Sequence, residues 1–508
     1  MSPRPWLGAL ALAVAATAAA QQRPSEEELF GKPAAAPAPP PPAPAPAQGT
    51  AGSPAPAAAS PAQPSAPSAP SPAAGPAPSR PGDAEILGGA GLPLPGFGAP
   101  PAPPDPLKIG GMLYLRLDTQ WQRGVPPSQW PLTSPNLVDV YLDARPNDRV
   151  RGFVLGRAQL NPLVNQAAPD PVLGFLPIGN QAYLDQAWIR WDAARTVFFA
   201  AGKQQVTWGV ARFWNPTDFL HFRKRDPLSV FDQRQGEWML KLHVPWEEKG
   251  WNFYGFALFS GYETVDRIGK VGGALRAEVV LGTLELAAEV VARSGTLPRL
   301  GVDASFGLWE IDFYGEASLG RGTPDGRPQW RMTTPPDFGA QPPVLGAYES
   351  YQPGFSPQVT AGASWTGKYS DEDTLTVGVE YFYNSLGYSD PAIYPWLIVN
   401  LDYNPFYVGR NQVGAYLLLP KPGSWNDTTF ILSTLANLTD RTFISRLDWS
   451  LQALTYLRVE AYAAFHYGQE GGAFRFAISL PPLPPYTTVP VALAPPVADF
   501  GVALRLTL

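Results

Sequence analysis

From Lys108 onward the sequence repeats one pattern, in which segments of roughly ten residues alternate apolar and polar side chains. In the segment 113–121, Leu, Leu, Leu, Thr and Trp occupy every second position, and Tyr, Arg, Asp and Gln lie between them. Successive side chains of a β-strand point to opposite faces, so this period indicates strands with one apolar and one polar face. Gly, Pro, Asn and Asp separate the segments, as is typical of turns. The pattern predicts an all-β fold.

The predicted strands number about 18, with roughly 16 as the nearest alternative. They cover residues 113–121, 138–144, 149–159, 182–191, 196–205, 237–244, 251–259, 274–281, 284–291, 302–308, 311–319, 358–365, 374–384, 412–419, 430–436, 443–452, 456–467 and 498–508.

The connections between these strands fall into two length classes. The short ones lie at 145–148, 245–250, 282–283, 309–310 and 453–454. The long ones lie at 122–136, 161–181, 206–236, 320–356, 385–410 and 468–497. Bacterial outer-membrane barrels join their strands by short periplasmic turns and longer external loops. The two classes therefore predict a transmembrane, antiparallel, up-and-down β-barrel with its N-terminus on the periplasmic side.

Composition favours strands in contact with lipid. After Gln21 no stretch approaches the roughly 18 consecutive apolar residues of a transmembrane helix. Charged residues nevertheless make up only 16 % of the chain, against about 25 % in soluble domains. Aromatic residues recur near the predicted strand ends, where the girdle of a membrane barrel belongs. These residues are Trp121, Trp191, Trp251, Trp309, Trp365, Tyr381, Tyr383 and Tyr467.

Residues 1–105 differ from the rest of the chain in composition and lack its alternating pattern. Arg4, a short apolar run and small residues before Gln21 together predict a signal peptide at 1–20 that is cleaved on export. Residues 21–105 are rich in Pro and Ala, a composition that cannot bury a core and favours extended conformations. We expect a disordered periplasmic tether there, either a passive spacer or a contact to peptidoglycan. The barrel then occupies 106–508, with a constriction loop at 206–236.

The C-terminal segment 498–508 alternates apolar and polar residues up to the last position. It resembles the closing strand of bacterial outer-membrane proteins, which typically ends on an aromatic residue where this chain has Leu508. Over about 109–508 the chain resembles porin-like outer-membrane barrels, and the run GKQ…WG…RFWNP…D at 202–218 is similar to a segment of some uncharacterised members. The resemblance implies a bacterial outer-membrane location, surrounding lipid and lipopolysaccharide, and insertion by the barrel-assembly machinery. It is compatible with a homo-oligomer.

The polar strand faces predict a charged interior. A barrel of about 18 strands encloses water rather than a packed core, so these side chains either line a solute path or pair in structural ladders. Arg446 and Asp448, for example, could pair with Arg458 and Glu460 on the next strand. The predicted lumen-lining residues are Arg116, Asp118, Asp139, Asp143, Arg149, Arg151, Arg157, Arg276, Glu278, Asp312, Glu316, Arg446, Asp448, Arg458 and Glu460.

The connection 206–236 is long, aromatic and more cationic than anionic. Connections of this length are usually functional or disordered. We predict that it folds into the barrel and sets the bore and charge of a constriction that favours anionic or polar solutes. The alternative is an external cap whose cations bind lipopolysaccharide phosphates. The predicted constriction residues are Arg212, Asp218, Arg223, Lys224, Arg225, Asp226 and Arg234.

The predicted function is a porin-like channel for small hydrophilic solutes, including anionic ones; the alternative is a non-conducting structural or adhesive barrel. Catalysis is not expected, because His221, His243 and His466 are the three histidines of the chain, and the predicted register directs His243 and His466 inward. A membrane-barrel phospholipase would need its Ser–His pair on the outer face. The chain contains no cysteine and no metal-ligand spacing, so we expect neither a metal nor a cofactor. Its near balance of acid and base argues against a nucleic-acid partner.

Overall fold

The structure is a computed structural model that describes residues 106–163, 180–261, 264–337, 340, 344, 346–371, 373–480, 482 and 491–508. The predicted signal peptide at 1–20 and tether at 21–105 lie outside the described residues. So do residues 164–179 of the predicted connection 161–181.

Strands dominate the described part of the chain. They are β1 (Leu107–Gln122), β2 (Leu132–Thr133), β3 (Asn136–Asn147), β4 (Val150–Leu160), β5 (Gln181–Ala193), β6 (Val197–Gln204), β7 (Glu237–Trp246), β8 (Trp251–Leu258), β9 (Gly272–Leu281), β10 (Leu284–Ala292), β11 (Arg299–Leu308), β12 (Ile311–Leu319), β13 (Gln329–Thr334), β14 (Ala347–Tyr351), β15 (Gln358–Lys368), β16 (Thr374–Asn384), β17 (Asn411–Pro420), β18 (Thr428–Asn437), β19 (Thr442–Leu454), β20 (Leu457–Gly468), β21 (Ile478–Leu480), β22 (Val491–Leu493) and β23 (Pro496–Thr507).

The large sheet closes on itself. Each of its long strands pairs antiparallel with the next one along the chain, and the last, β23, pairs with the first along a register from Met112 opposite Thr507 to Trp121 opposite Ala498. The sheet has 19 strands, of which the two-residue β2 is only an appendage to β1. The remaining 18 form an antiparallel barrel, so the predicted fold is confirmed. Closure leaves no unpaired edge among these strands, as lipid requires.

The two faces of the barrel differ in the way the alternation predicts. On β1, Leu115 and Leu117 are more than 40 % exposed on the outside, whereas Arg116 between them is 5 % exposed and faces inward. The same contrast recurs around the barrel, and the outward apolar side chains include Val140, Val154, Leu240, Leu275, Leu300, Val302, Val377, Val379, Leu432, Leu447, Val502 and Leu504. A continuous apolar exterior over a polar interior is the arrangement of a transmembrane barrel.

The short connections are tight turns. Between β9 and β10 the turn consists of Gly282 and Thr283, and Gly282 has a φ of +66°. Glycine adopts this left-handed conformation at no steric cost. Between β3 and β4, the side chain of Asn147 accepts hydrogen bonds from the backbone N–H groups of Arg149 and Val150 at 2.9 and 3.0 Å. These turns fix the register of the strands they join.

The long loops 320–356, 385–410 and 468–497 contain regular elements that the period-two pattern does not reveal. They hold the hairpin β13–β14, the pair β21–β22 and a six-residue α-helix, Tyr394–Val399. Their apolar side chains share one cluster, in which Tyr394 and Leu397 are fully buried beside Phe476 and Trp330. The described parts of these loops therefore pack on one another as a folded cap. Within the described ranges, no helix has both the length and the apolar character needed to cross a membrane.

Candidate pore constriction

The connection between β6 and β7, residues 206–236 (the constriction loop), packs on the inner face of the barrel. All residues from 213 to 221 are buried. Phe213 lies against Gly414 of β17, where an added Cβ would overlap the Phe213 ring. Phe219 lies against Gly301 of β11, where an added Cβ would come within 2.9 Å of the ring. Glycines on the wall thus leave room for aromatic side chains of the loop.

One end of the loop is anchored on the wall formed by β7 to β10. Trp208, Phe219 and Leu220 pack in one cluster with Met239 of β7 and Val291 of β10. The Trp208 ring also meets the Phe256 ring edge-on, with 5.4 Å between centroids. Burial of large aromatic side chains contributes strongly to stability, so this segment is held firmly.

The middle of the loop is anchored on the wall formed by β16 to β20. Phe213, Trp214 and Leu228 pack with Phe382 of β16 and Ile444 of β19. The Trp214 and Phe382 rings stack with 5.6 Å between centroids. Phe406 and Phe474, from two of the long loops, complete this cluster. The constriction loop and the folded cap are therefore in direct contact.

The far end of the loop reaches the seam of the barrel. Phe231 meets Tyr114 of β1 edge-on, with 5.1 Å between ring centroids. Leu137 of β3 and Ala503 of β23 complete this cluster. Because the loop contacts the wall near β7, near β16 and near β1, it crosses the lumen.

Glu316 of β12 binds the loop through its carboxylate. It accepts hydrogen bonds from the backbone N–H groups of Val210 and Ala211, both at 2.6 Å. It also accepts bonds from the Asn215 side-chain amide at 3.1 Å and the Thr217 hydroxyl at 2.6 Å. The predicted lumen-lining carboxylate is thus covered by the loop.

Glu380 of β16 binds the next stretch of the loop in the same way. Its carboxylate accepts hydrogen bonds from the backbone N–H groups of Arg212 at 2.8 Å, Phe213 at 3.1 Å and Trp214 at 2.8 Å. The Tyr314 hydroxyl of β12 donates a further bond at 3.1 Å. Five consecutive backbone N–H groups, those of residues 210–214, therefore donate to two wall carboxylates.

Asp218, a predicted constriction acid, and Asp232, which was not predicted, are paired with a predicted cation within the loop. The Arg234 guanidinium is buried and contacts Asp218 at 2.6 Å and Asp232 at 2.5 Å. Burial raises the pKa of Asp232, but the Arg234 guanidinium lowers it by more. The resulting pKa is about 2, so Asp232 is ionised at neutral pH. Asp226 caps a turn instead, by accepting a hydrogen bond from the Leu228 N–H at 2.9 Å.

Three of the predicted cations lie on the accessible part of the loop, where Asp226 beside them is also half-buried. Arg223 is exposed, and Lys224 and Arg225 are half-buried. Burial lowers the pKa of Lys224 to about 8, so it carries its charge at neutral pH. The Arg225 guanidinium donates to the backbone carbonyl of Arg212, whose own guanidinium lies over the Tyr416 ring of β17 at 3.6 Å.

The predicted lumen-lining residues lie in several ion-pair groups on the inner wall. On β9, Arg276 contacts Glu278 at 2.8 Å and Asp303 of β11 at 2.7 Å, and it also contacts Glu289 of β10. Asp312 lies on the same face of β12 as Glu316 and is exposed. This side of the barrel is rich in carboxylates.

A second group lies across the seam. Arg116 contacts Asp118 at 2.8 Å, and Arg446 contacts Asp448 at 3.1 Å. The Tyr462 ring lies between the two arginines, 5.2 Å from Arg116 and 3.5 Å from Arg446.

The expected ladder of Arg446 and Asp448 with Arg458 and Glu460 does not form. The register places Tyr462 opposite Asp448 and Ser450 opposite Glu460. The two charged pairs are therefore offset along the strands. Arg458 instead donates to Gln452 at 3.0 Å, and Glu460 contacts Arg505 of β23.

A third group lies on β3 to β5. Arg157 contacts Asp139 at 2.8 Å, and Arg151 contacts Asp143 at 2.8 Å. Arg149 differs from its prediction, because it lies in the turn between β3 and β4 and pairs with Asp192 at 3.1 Å rather than on the strand wall. The turn ends one residue later than the alternation indicates, because β4 begins at Val150.

The anchoring role of Glu380 and Thr360 is absent from the sequence prediction. Thr360 of β15 donates to the Trp214 carbonyl at 2.9 Å, between the two wall glutamates. A lone glutamate on a polar strand face gives no signal of which backbone groups it will bind. Among the described residues, no group of three or more His, Cys, Asp or Glu is arranged to hold a metal ion.

No protein-family model matches the chain, and no curated protein matches it. Among solved structures, Acinetobacter baumannii OccAB1 is similar at 10 % identity and a TM-score of 0.48, over 79 % of this chain and 96 % of that one. A BenF-like porin from Pseudomonas fluorescens is similar at 9 % identity and a TM-score of 0.46, over 79 % and 98 %. An engineered variant of the Rhodopseudomonas blastica porin is similar at 10 % identity and a TM-score of 0.38, over 79 % and 100 %.

Proposed function

We propose that this protein is a porin-like channel of the bacterial outer membrane that passes small hydrophilic solutes and prefers anionic ones. The observation that carries the proposal is the constriction loop, which crosses the lumen of a closed 18-strand barrel. Pores derive their selectivity from charges and constrictions along the path. The loop supplies both in one segment.

The exterior supports a location in lipid. A contiguous apolar belt of this extent is not stable in water, whereas a closed sheet satisfies its backbone hydrogen bonds within a bilayer. Surrounding outer-membrane lipid, assembly by the barrel-assembly machinery and cleavage of residues 1–20 belong to the same proposal. The N-terminal sequence of the mature protein, purified from membranes, tests the cleavage.

The anion preference rests on which charges stay accessible. Glu316 and Glu380 are covered by loop N–H groups, and Asp218 is paired with Arg234. Arg223 is exposed, and Lys224 is half-buried and cationic at neutral pH. On the accessible part of the loop, three cations outnumber one half-buried carboxylate, Asp226, and an excess of accessible positive charge attracts anions.

The two histidines on the barrel strands, His243 and His466, are held in structural contacts rather than in the arrangement of a hydrolase. Both ring nitrogens of His466 are engaged, with the Phe474 carbonyl at 2.7 Å and Asp499 at 2.8 Å. His243 is buried and bonded to Asn252 at 2.9 Å. A general base needs a free nitrogen within reach of a nucleophile, and His466 offers none here.

A non-conducting structural or adhesive barrel is the second candidate. The observation in its favour is that the constriction loop contacts the wall near β7, near β16 and near β1, and that all residues from 213 to 221 are buried. A loop packed this widely narrows the lumen strongly.

Liposome swelling separates the two candidates. Liposomes that contain the refolded barrel are mixed with small neutral and small anionic solutes, and the rate of swelling reports solute entry. The channel predicts faster swelling than protein-free liposomes, with anionic solutes entering faster than neutral ones of equal size. Swelling equal to that of protein-free liposomes would favour the non-conducting barrel.

A further inference from the structure

We propose that Glu316 and Glu380 form a clasp that positions the constriction loop across the lumen, and that the channel reaches its full bore when this clasp opens. The inference rests on the proposed channel function and adds to it a pair of positioning residues. The inference concerns the position of the constriction loop in the lumen rather than the charges that line the solute path.

The clasp is built on three adjacent strands. Glu316 of β12 pairs in register with Thr360 of β15, and Glu380 of β16 pairs in register with Gly362 two residues further along β15. The three polar side chains therefore form a row on the inner wall. Glu316 and Glu380 accept bonds from loop N–H groups, and Thr360 donates to the loop carbonyl of Trp214. Most of these bonds go to the loop backbone, and Glu316 also accepts from the Asn215 and Thr217 side chains.

Hydrogen bonds from N–H groups to a carboxylate are stronger than bonds between neutral groups, and they gain strength where water is excluded. Glu316 is 2 % exposed and Glu380 is fully buried. Successive backbone N–H groups also form concave sites that bind anions. In this loop the N–H groups of residues 210–214 point at two carboxyl groups that the barrel itself supplies.

The same geometry removes the two carboxylates from the solute path. A carboxylate offers about four acceptor positions, and Glu316 accepts bonds from Val210, Ala211, Asn215 and Thr217. Glu380 accepts from three backbone N–H groups and from Tyr314. Neither side chain has capacity left to bind a passing cation. Losing the clasp should therefore change the bore of the channel more than its ion preference.

The test uses the natural absence of cysteine in the chain. Ala211 is 7 % exposed and its N–H binds Glu316, so Ala211→Cys places a single thiol in the clasped segment. Full-length Ala211→Cys protein is refolded into liposomes and treated with a maleimide, alone and combined with Glu380→Gln, Glu380→Asp or Glu310→Gln. Glu310 lies in the turn between β11 and β12, away from the constriction loop. Its carboxylate accepts a hydrogen bond from the Trp365 indole N–H at 3.2 Å, so Glu310→Gln is the matched control.

Glu380→Gln replaces one acceptor oxygen of the carboxylate with an amide NH2 group, a donor that faces the loop N–H groups. We expect the labelling rate to rise about tenfold, the factor that corresponds to about 1.4 kcal/mol. Glu380→Asp should give a smaller rise, because it keeps the charge on a shorter side chain, and Glu310→Gln should give none. In each case, a difference in electrophoretic mobility between heated and unheated protein shows that the barrel is folded. An equal labelling rate in Glu380→Gln and in the control would overturn the clasp.

Single-channel recordings of the same proteins test the opening. Glu380→Gln should show a larger or more fluctuating conductance, with a reversal potential close to that of the unmodified barrel. A changed reversal potential at unchanged conductance would overturn the inference while leaving the channel function intact. Faster labelling without conductance in any of the proteins would instead contradict the channel function, and with it the role of the clasp in opening.

Discussion

Arg234 and Asp218, sixteen residues apart in the constriction loop, form a buried ion pair with 2.6 Å between guanidinium nitrogen and carboxylate oxygen. Asp232 contacts the same guanidinium. The group ties the two limbs of the loop together inside the lumen.

Arg234→Gln should loosen the loop strongly. Removing one partner of a buried pair leaves an uncompensated charge and typically costs about 3–5 kcal/mol. Hydrogen exchange of peptides from residues 206–236, followed by mass spectrometry, should show faster exchange in the variant. Arg195→Gln is the control, because its pair with Asp148 is largely exposed and worth about 0–1 kcal/mol. Equal exchange in both variants would contradict the role of Arg234.

Acid should loosen the loop through His221. The side chain is 5 % exposed, its ring nitrogens have no hydrogen-bond partner among the described residues, and burial lowers its pKa to about 4. Arg234, Asp218, Asp232 and Arg293 are the charges around it. An opened loop binds the proton near the ordinary pKa of about 6.5.

Neutral His221 therefore contributes fully to the stability of the packed loop, relative to the opened loop, above about pH 6.5. This contribution, about 3 kcal/mol in total, is lost as the pH falls toward 4. The maleimide labelling rate of Ala211→Cys protein, divided at each pH by the rate of the denaturant-unfolded protein because the reactive thiolate fraction falls with pH, should rise over this range. His221→Gln protein should lose the acceleration above pH 4. A rate ratio that does not change between pH 7 and 4 in Ala211→Cys protein that keeps His221 would contradict the assignment.

Gly414 should tolerate no side chain. A Cβ at this position would overlap the ring of Phe213. Gly414→Ala should displace the loop at a cost of about 1–3 kcal/mol, measured as faster hydrogen exchange of residues 206–236. Gly152→Ala on β4 is the matched control, because a Cβ there meets nothing within 4 Å. A second change, Phe213→Leu, should restore part of the protection; no restoration would show that the overlap is not the cause.

The outer face should reject charge. Val302, in the middle of β11, is 53 % exposed on the apolar side. Val302→Arg should lower the unfolding free energy in lipid by about 2–4 kcal/mol if it lies near the bilayer midplane, measured by denaturant titration of liposome-embedded protein. Ile268→Arg, in a 3-10 helix outside the strands and 91 % exposed, should have little effect. Equal effects at both sites would contradict the membrane placement of β11.

The barrel was predictable from sequence because its rule is local. Alternation such as that around Arg116 assigns each strand residue to a face without knowledge of its neighbours, and the predicted strands all correspond to strands of the barrel. The boundaries were less predictable. β1 begins at Leu107 rather than at 113, because pairing with β3 extends it through residues that do not alternate cleanly.

The site was less predictable than the barrel. Loop length and charge singled out residues 206–236, but the partners of Glu316 and Glu380 depend on the backbone of a loop more than 90 residues away. The expected pairing of Arg446 and Asp448 with Arg458 and Glu460 was wrong for a related reason. The register between two neighbouring strands cannot be predicted from the sequence of either strand alone. The helix Tyr394–Val399 escaped notice because six residues are too few to establish a helical period.

The most direct test of the proposed function is single-channel recording of the refolded barrel in a planar bilayer under a salt gradient. We predict discrete conductance steps and a reversal potential that shows anion preference. Replacing Arg223, Lys224 and Arg225 by glutamine should reduce that preference, because these side chains carry the accessible positive charge of the loop. A folded barrel that never conducts, or one whose preference is unchanged by the triple replacement, would contradict the account.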